Sequence, residues 1–285
     1  MIVLRCWGTR GSIPSPGPST ARYGGNTTCF EVRVGERRLV FDAGSGMRLL
    51  GVKLVQQGGS LDTPIFLTHF HWDHIQGFPF FPPLYRSGTD LRIIGPRQSN
   101  IDIRSLFAGQ MGPIYFPVPF SAIAADLSFE HLNEGVYEES GATLYTMRVK
   151  HPSFVIGYRI EVGGRVICFI PDNEIEAEGY ELGDDWRDRL VRFAGDADIL
   201  IHDSMYTDEE YPGRRGWGHS TFRQSLELAE EAGVRKLLFF HHDPERTDAE
   251  IDAIVHRLRE ESAARGCSVN MEAAAEGFDF TLEER

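Results

Sequence analysis

Along the chain, short apolar runs alternate with turn-forming residues, and most of the runs are strand-length rather than helix-length. Residues 2–7 (Ile-Val-Leu-Arg-Cys-Trp) read as a strand, followed by a long Gly-, Pro- and Ser-rich segment over 8–26. Loops of that length inside a folded domain are usually functional or disordered. Runs at 27–34 and 38–42 flank Gly35-Glu36 and predict a hairpin. The spacing over 47–57 predicts a helix stopped by Gly58-Gly59, and 64–68 (Pro-Ile-Phe-Leu-Thr) predicts a short buried strand. Between Phe78 and Phe120 the pattern breaks into Phe/Pro clusters around a strand at 91–94 and a helix at 101–108. Strands follow at 143–150, 155–162 and 165–170, the last two joined by the tight turn Gly163-Gly164. The remainder alternates: helix 185–194, strand 198–202, helix 220–232, strand 235–240, helix 246–264, and short strands at 268–271 and 278–282. No linker or repeat divides residues 1–285, so the expectation is a single α/β domain with helices covering sheets.

Composition narrows the partner classes. With 41% hydrophobic residues the chain of 285 can bury a sizeable core. Lys plus Arg number 29 against 42 Asp plus Glu, a net charge of −13, and the basic pairs are scattered. A long nucleic acid is repelled by such a surface, so none is expected as partner. Cys6, Cys29, Cys168 and Cys267 form no Cys-x-x-Cys pair, and three of them sit in apolar runs. They read as buried thiols of a reducing compartment. No uncharged apolar run is long enough to span a membrane, and the first residues do not resemble a signal peptide. A cytoplasmic protein without membrane partners is the expectation.

Chemistry concentrates in one place. His69-Phe70-His71-Trp72-Asp73-His74 sets four ligand-type side chains within six residues, just past the strand at 64–68. In extended chain, alternate residues share a face, so His69 and His71 can converge on one metal ion. Asp73 and His74 can face a second ion as the chain turns away. Imidazole with carboxylate suits zinc and other borderline divalent ions.

This run resembles the His-x-His-x-Asp-His motif of the metallo-β-lactamase-fold hydrolases. The resemblance implies an αββα sandwich, two mixed β-sheets packed face to face with helices outside. It also implies two zinc ions, with manganese or iron as substitutes. His69, His71 and His151 would hold one ion, Asp73, His74 and His241 the other, with Asp172 between them. His242 is the rival to His241, which is the first residue past its apolar run. Gly8-Thr9-Arg10-Gly11-Ser12-Ile13-Pro14 and Trp217-Gly218-His219-Ser220-Thr221 are similar to elements of the ribonuclease Z branch. His219, 22 residues before His241, would inherit that branch's role of donating a proton to the departing oxygen of a phosphodiester. Asp73 would also steer the metal-bridging hydroxide that acts as nucleophile. Asp42 and Asp203 would orient histidines, and Asn26, Ser220 and Thr221 would face substrate.

The chain departs from that branch in one respect that bears on substrate. Only 20 residues separate His151 from Asp172, and two strands with a Gly-Gly turn consume them, leaving no room for a tRNA-gripping arm. The expectation is a phosphodiesterase for a small or cyclic phosphodiester, a cyclic nucleotide among the candidates, working as a homodimer. The alternatives are an acyl hydrolase for thioesters or lactones, which has no use for His219, ribonuclease Z-like RNA processing, and a non-catalytic metal-binding sensor. Oxygen- or nitric-oxide-reducing di-iron relatives carry Glu where His71 stands. The aromatics of 78–120 are expected to cover the metal site.

Overall fold

The first sheet grows from the amino terminus. β1 (Ile2–Gly8), β2 (Cys29–Val34) and β3 (Arg37–Phe41) pair antiparallel, β2 and β3 through the expected turn at Gly35-Glu36. β4 (Leu61–Phe66), β5 (Thr89–Pro96) and β6 (Asp126–Leu132) then add in parallel. The second sheet repeats this pattern. β7 (Gly135–Glu139), β8 (Ala142–Val149), β9 (Val155–Val162) and β10 (Arg165–Ile170) pair antiparallel. β11 (Ile199–Asp203), β12 (Lys236–Phe240) and β13 (Asn270–Ala273) continue it in parallel. The last strand, β14 (Asp279–Leu282), crosses back to pair with β1, giving two sheets of seven strands among the described residues. The computed structural model describes residues 1–59, 61–98 and 101–285.

Three apolar layers hold the sandwich. Between the sheets lie Phe30, Phe41, Phe66, Tyr158, Phe169 and Phe240, all almost wholly buried. Outside the first sheet, α1 (Met47–Gln57) and α3 (Ile103–Gln110) contribute Met47, Leu50, Ile103 and Phe107. Outside the second, Trp186 and Leu190 of α4 (Trp186–Ala194), Leu226 of α5 (Phe222–Glu231) and Ile251 and Leu258 of α6 (Asp248–Ala264) do the same. Central strands therefore bury both faces: Ile167 and Phe169 of β10 point to the inter-sheet core, Cys168 and Ile170 to the helices. That is why their sequences read as unbroken apolar runs. The αββα expectation is met.

The inter-sheet rings also fix the strand ends that carry chemistry. Phe169 stacks on Phe30 with centroids 5.1 Å apart and meets Phe240 edge-on at 5.6 Å. Phe41 and Phe240 directly precede Asp42 and His241. Replacing Phe169 with Ala should cost about 3–5 kcal/mol, the cavity and transfer penalty of a fully buried ring. The check is the denaturant midpoint. A cost below about 1 kcal/mol would mean that the two sheets do not depend on this ladder.

Helix boundaries differ from expectation by a residue or two, for capping reasons. The helix expected at 101–108 begins at Ile103 because the Asp102 side chain accepts from the Ser105 N–H at 3.2 Å. Thr221 and Thr247 make capping boxes with Gln224 and Glu250, which sets the starts of α5 and α6. Strands β6 and β7, at the two sheet edges, lie outside the expected elements, although Leu127 and Phe129 alternate with polar residues along β6 as in a half-buried strand. All four thiols are free, and Cys6, Cys29 and Cys168 are buried. Among the described residues no helix is long and apolar enough to cross a membrane.

Candidate metal centre

The side chains of interest leave the carboxyl ends of six strands. Because β8 and β10 both run antiparallel to β9, they point the same way. His151, Asp172, Asp203 and His241 lie just beyond or at the ends of β8, β10, β11 and β12, and Asp42 and His69 follow β3 and β4. After β4, Thr68 and His69 are buried, while His71 is exposed and stands before α2 (Trp72–Ile75). This single helical turn buries Asp73 and His74 while leaving Trp72 in solvent. Asp42, His241 and Ser12 all adopt left-handed backbone, each at φ 61°, a conformation that costs non-glycine residues energy and persists where surroundings enforce it. Ser12 uses it to aim its N–H at Asp73 Oδ2, 2.8 Å away.

Two donor groups result. Donor atoms of His69, His71 and His151 lie within 4.8 Å of one another, with His71 Nδ1 and His151 Nε2 at 3.2 Å. Donor atoms of Asp73, His74 and His241 make the second group, with Asp73 Oδ2 3.3 Å from His74 Nε2 and 3.1 Å from His241 Nε2. Asp172 stands between them. Its Oδ2 is 3.8 Å from His69 Nε2 and 4.0 Å from His151 Nε2, while its Oδ1 is 3.1 Å from His74 Nε2 and 3.4 Å from His241 Nε2. The outward nitrogens are anchored: His74 Nδ1 to Asp42 Oδ2 at 2.8 Å, and His151 Nδ1 to the Gly218 carbonyl at 2.9 Å. Asp42 is held in turn by the N–H and hydroxyl of Thr68. Such partners fix the ring orientation and the tautomer of a ligand histidine. His219 joins the edge of the cluster, its Nδ1 2.8 Å from Asp203 Oδ2 and its ring stacked on His241 at 4.9 Å.

Residues 37–242 match the family model described as Beta-lactamase superfamily domain, most of the chain. The chain belongs to the beta-lactamase superfamily. Within it, the chain is a metallo-β-lactamase-fold hydrolase. It is 28% identical over 224 residues to ribonuclease Z of Lactococcus lactis subsp. cremoris (strain SK11), covering 63% of this chain and 70% of that one. In fold it is similar to the metallo-beta-lactamase fold protein YhfI from Bacillus subtilis, with a TM-score of 0.69, 18% identity and 98% of each chain covered. The short form of human tRNase Z gives a TM-score of 0.67 at 18% identity, with 99% of each chain covered.

A metallo-β-lactamase fold implies a divalent metal, typically zinc, and the residues of this superfamily member fit one. The Nε2 atom of His69 is buried and lacks a hydrogen-bond partner among the described residues, a cost that a bound cation removes. Burial pushes the pKa of His69 well below the usual histidine value and that of His151 down to about 4, leaving both as neutral donors. His74 differs. Burial opposes its charged form, but the carboxylates of Asp172, Asp73 and Asp42 hold its pKa well above the usual value. A metal must displace that proton, so affinity should rise with pH. Zinc calorimetry at about pH 6 and about pH 8, in buffers of different ionisation enthalpy, should show proton release and tighter binding at the higher pH. Affinity independent of pH would argue against imidazole ligands.

Several expected site residues of the superfamily hydrolase have other work. Asn26 gives its side-chain N–H to Glu276 at 3.0 Å and accepts from Ser45 at 3.0 Å, which ties down the 8–26 loop instead of reaching substrate. The Ser220 hydroxyl is fully buried, donating to the Asn173 carbonyl and accepting from the Ile175 N–H. Thr221 caps α5. Ser220 and Thr221 are fully buried, out of reach of substrate, whereas Asn26 is part-buried and keeps one side-chain N–H beyond these bonds. His242 turns away from the cluster to the Ala274 carbonyl, 2.9 Å off. His202 is buried against Ser225 and Asn173.

The expected cover over 78–120, apart from residues 99 and 100, which lie outside the described residues, divides. Phe78 and Phe81 are fully buried beneath the first sheet's helices, and Phe120 packs on Phe129. The Tyr85 hydroxyl binds the Pro79 carbonyl, Phe80 and Phe116 meet edge-on at 5.2 Å, and Tyr115 is exposed. The exposed rings next in sequence to the cluster are Trp72 and Trp217, 65% and 57% exposed. Sequence reasoning also missed the backbone contributors. A Cβ at Gly11 would lie 2.5 Å from the His241 imidazole, and one at Gly218, where φ is +92°, 2.1 Å from His151 Nδ1. Both glycines lie in the two segments that carry the family resemblance, but only tertiary contact shows which of the 30 in the chain sit against ligand histidines.

Proposed function

We propose that the chain is a dinuclear metal-dependent phosphodiesterase for a small phosphodiester, a cyclic nucleotide being the leading candidate. The six side chains grouped around Asp172 supply donors for two ions, His69, His71 and His151 for one and Asp73, His74 and His241 for the other. Bound there, two divalent cations would supply Lewis-acid chemistry, activating water near neutral pH and neutralising charge on the phosphoryl oxygens.

The observation that carries the phosphodiester reading is His219. One of its ring nitrogens lies within 4.8 Å of donor atoms of both His151 and Asp172. Burial works against its charged form, yet the Asp203 carboxylate dominates and holds its pKa up to about 9. His219 can thus carry a proton at the edge of the cluster at neutral pH. A diester leaves an alkoxide that needs such a donor, as a lactone does, whereas the thiolate of a thioester does not, so His219 sets the diester reading apart from the thioester one. Asp73, held by the Ser12 N–H, presents a second oxygen that can accept a hydrogen bond from the attacking water. The span between His151 and Asp172 is β9, β10 and their turn, with no inserted arm. Together with the charge of −13, this favours a small substrate over a folded RNA.

The test is a hydrolysis panel on the zinc-loaded protein: a bis-aryl phosphodiester, 2′,3′- and 3′,5′-cyclic nucleotides, a thioester, a lactone and a precursor tRNA. Turnover of diesters with the acyl substrates inert supports the reading. Faster cleavage of thioester or lactone sinks it, and preferential trimming of the tRNA would move the substrate assignment to RNA.

A further inference from the structure

A buried carboxylate beyond the ligand set is held by hydrogen bonds and not by an ion pair, with the Lys150 ammonium acting on it only at longer range. Glu174 lies two residues past Asp172, is 0% exposed, and makes no ion pair with Lys, Arg or His among the described residues. Its charge is met by three donors from one loop. The Tyr211 hydroxyl donates to Oε1 at 3.0 Å, the Gly216 N–H to Oε1 at 2.8 Å, and the Gly218 N–H to Oε2 at 2.8 Å. Its own N–H donates to the carbonyl of Lys150, the residue before His151, at 2.8 Å. Lys150 Nζ goes elsewhere, to the Ile175 and Ala177 carbonyls.

The far side of Gly218 explains the investment. The same residue whose N–H reaches Glu174 has a carbonyl that accepts from His151 Nδ1 at 2.9 Å, and the next residue is His219. We infer that Glu174 is a positioning residue that sets His151 and His219 together by clamping the 211–218 loop. The inference rests on the roles assigned to those two histidines above. An ionised carboxylate accepts on both oxygens, which is what three converging donors require. Glutamine cannot do this, because its NH2 would face either the Gly218 N–H or the Tyr211 and Gly216 donors. Charge-assisted bonds of this kind are short and strong, so they hold the loop firmly in addition to the packing of Tyr211 with Met205 and Tyr206. Tyr211, with only one of the three donors, is secondary.

The experiment compares Glu174→Gln, Glu174→Asp and Tyr211→Phe in the full chain loaded with cobalt or zinc. Folding is followed by circular dichroism, metal affinity by calorimetry, ligand geometry by the cobalt absorption spectrum, and kcat and KM on diesters with good and poor leaving groups. Glu174→Gln should fold, lose about 10–100-fold in affinity for one of two metals and change the cobalt spectrum. Its kcat on the poor leaving group should fall about 10–100-fold, with KM moved less than about threefold. Glu174→Asp should recover part of each loss, and Tyr211→Phe should change each by less than about threefold. Should Glu174→Gln not fold, the spectrum and affinity of Glu174→Asp decide the question, and wild-type values there overturn the inference. Activity lost only in proportion to thermal stability across the variants also overturns it. If the parent protein hydrolyses no diester, the phosphodiesterase reading fails by itself. The metal affinity and cobalt spectrum of the variants still decide the role of Glu174 toward His151.

Discussion

Asp172→Ala should reduce phosphodiester turnover on the order of 10⁴-fold or more, the largest loss expected from any single change. Asp172 faces both donor groups, with Oδ1 3.1 Å from His74 Nε2 and Oδ2 3.8 Å from His69 Nε2. Removing it takes a negative charge from between two groups of imidazoles that would otherwise face two cations. Metal content after loading and dialysis should fall from two per chain to one or fewer, and elemental analysis measures this directly. A variant that keeps two ions and substantial activity would show that the ions sit elsewhere. The His242→Ala variant is the natural control, since His242 bonds the Ala274 carbonyl instead of the cluster.

His219→Ala should lower kcat about 10²–10⁴-fold on a diester whose leaving group is an alkoxide, with far less effect on a nitrophenyl ester. Metal content should stay at the parent level. The sign of the pH effect follows from the proton. His219 acts as an acid only while protonated, so the rate on the poor leaving group should fall as pH rises through its pKa. In the metal-free chain Asp203 holds that pKa up to about 9 against the opposing effect of burial. Cations beside it repel the same proton, so the limb in the loaded enzyme lies lower. Asp203→Asn, which removes the carboxylate 2.8 Å from Nδ1, should move the limb lower still. Equal losses on both leaving groups, or a pH limb unchanged in Asp203→Asn, would mean that His219 positions substrate and donates no proton.

Legibility in the sequence followed from locality. β9 and β10 lie at the expected residues 155–162 and 165–170 because β9 alternates Ile156, Tyr158, Ile160 and Val162 toward the inter-sheet core, β10 carries a run buried on both faces, and Gly163-Gly164 turns between them. Helix α1 spans the expected 47–57 for the same kind of reason, an apolar face closed by two glycines. Strand β7 was not legible, and the short alternation of Leu127 and Phe129 along β6 was passed over. At the two sheet edges these strands bury little, and what makes them strands is the hydrogen-bonding edge of β5 and β8 beside them.

For the site, the sequence by itself determined the donor types, since His69, His71, Asp73 and His74 are crowded by chain connectivity and need no fold to be neighbours. The family resemblance, which calls for further ligands at strand ends, added His151, Asp172 and His241 as candidates, and the fold brings all seven together. The choice between adjacent His241 and His242 was made by the tertiary structure. The left-handed backbone at His241 turns its Nε2 toward Asp73, while the next side chain runs back to Ala274. Tertiary structure likewise reassigned Asn26, Ser220 and Thr221 to loop and cap bonds. It also recruited Ser12, Gly218 and Glu174, whose contributions are backbone groups or long-range acceptors. A side chain's element type is written in its neighbours along the chain. Which of its hydrogen bonds remain free for a ligand depends on groups tens to hundreds of residues away, such as Glu276 for Asn26, and only folding brings those into reach.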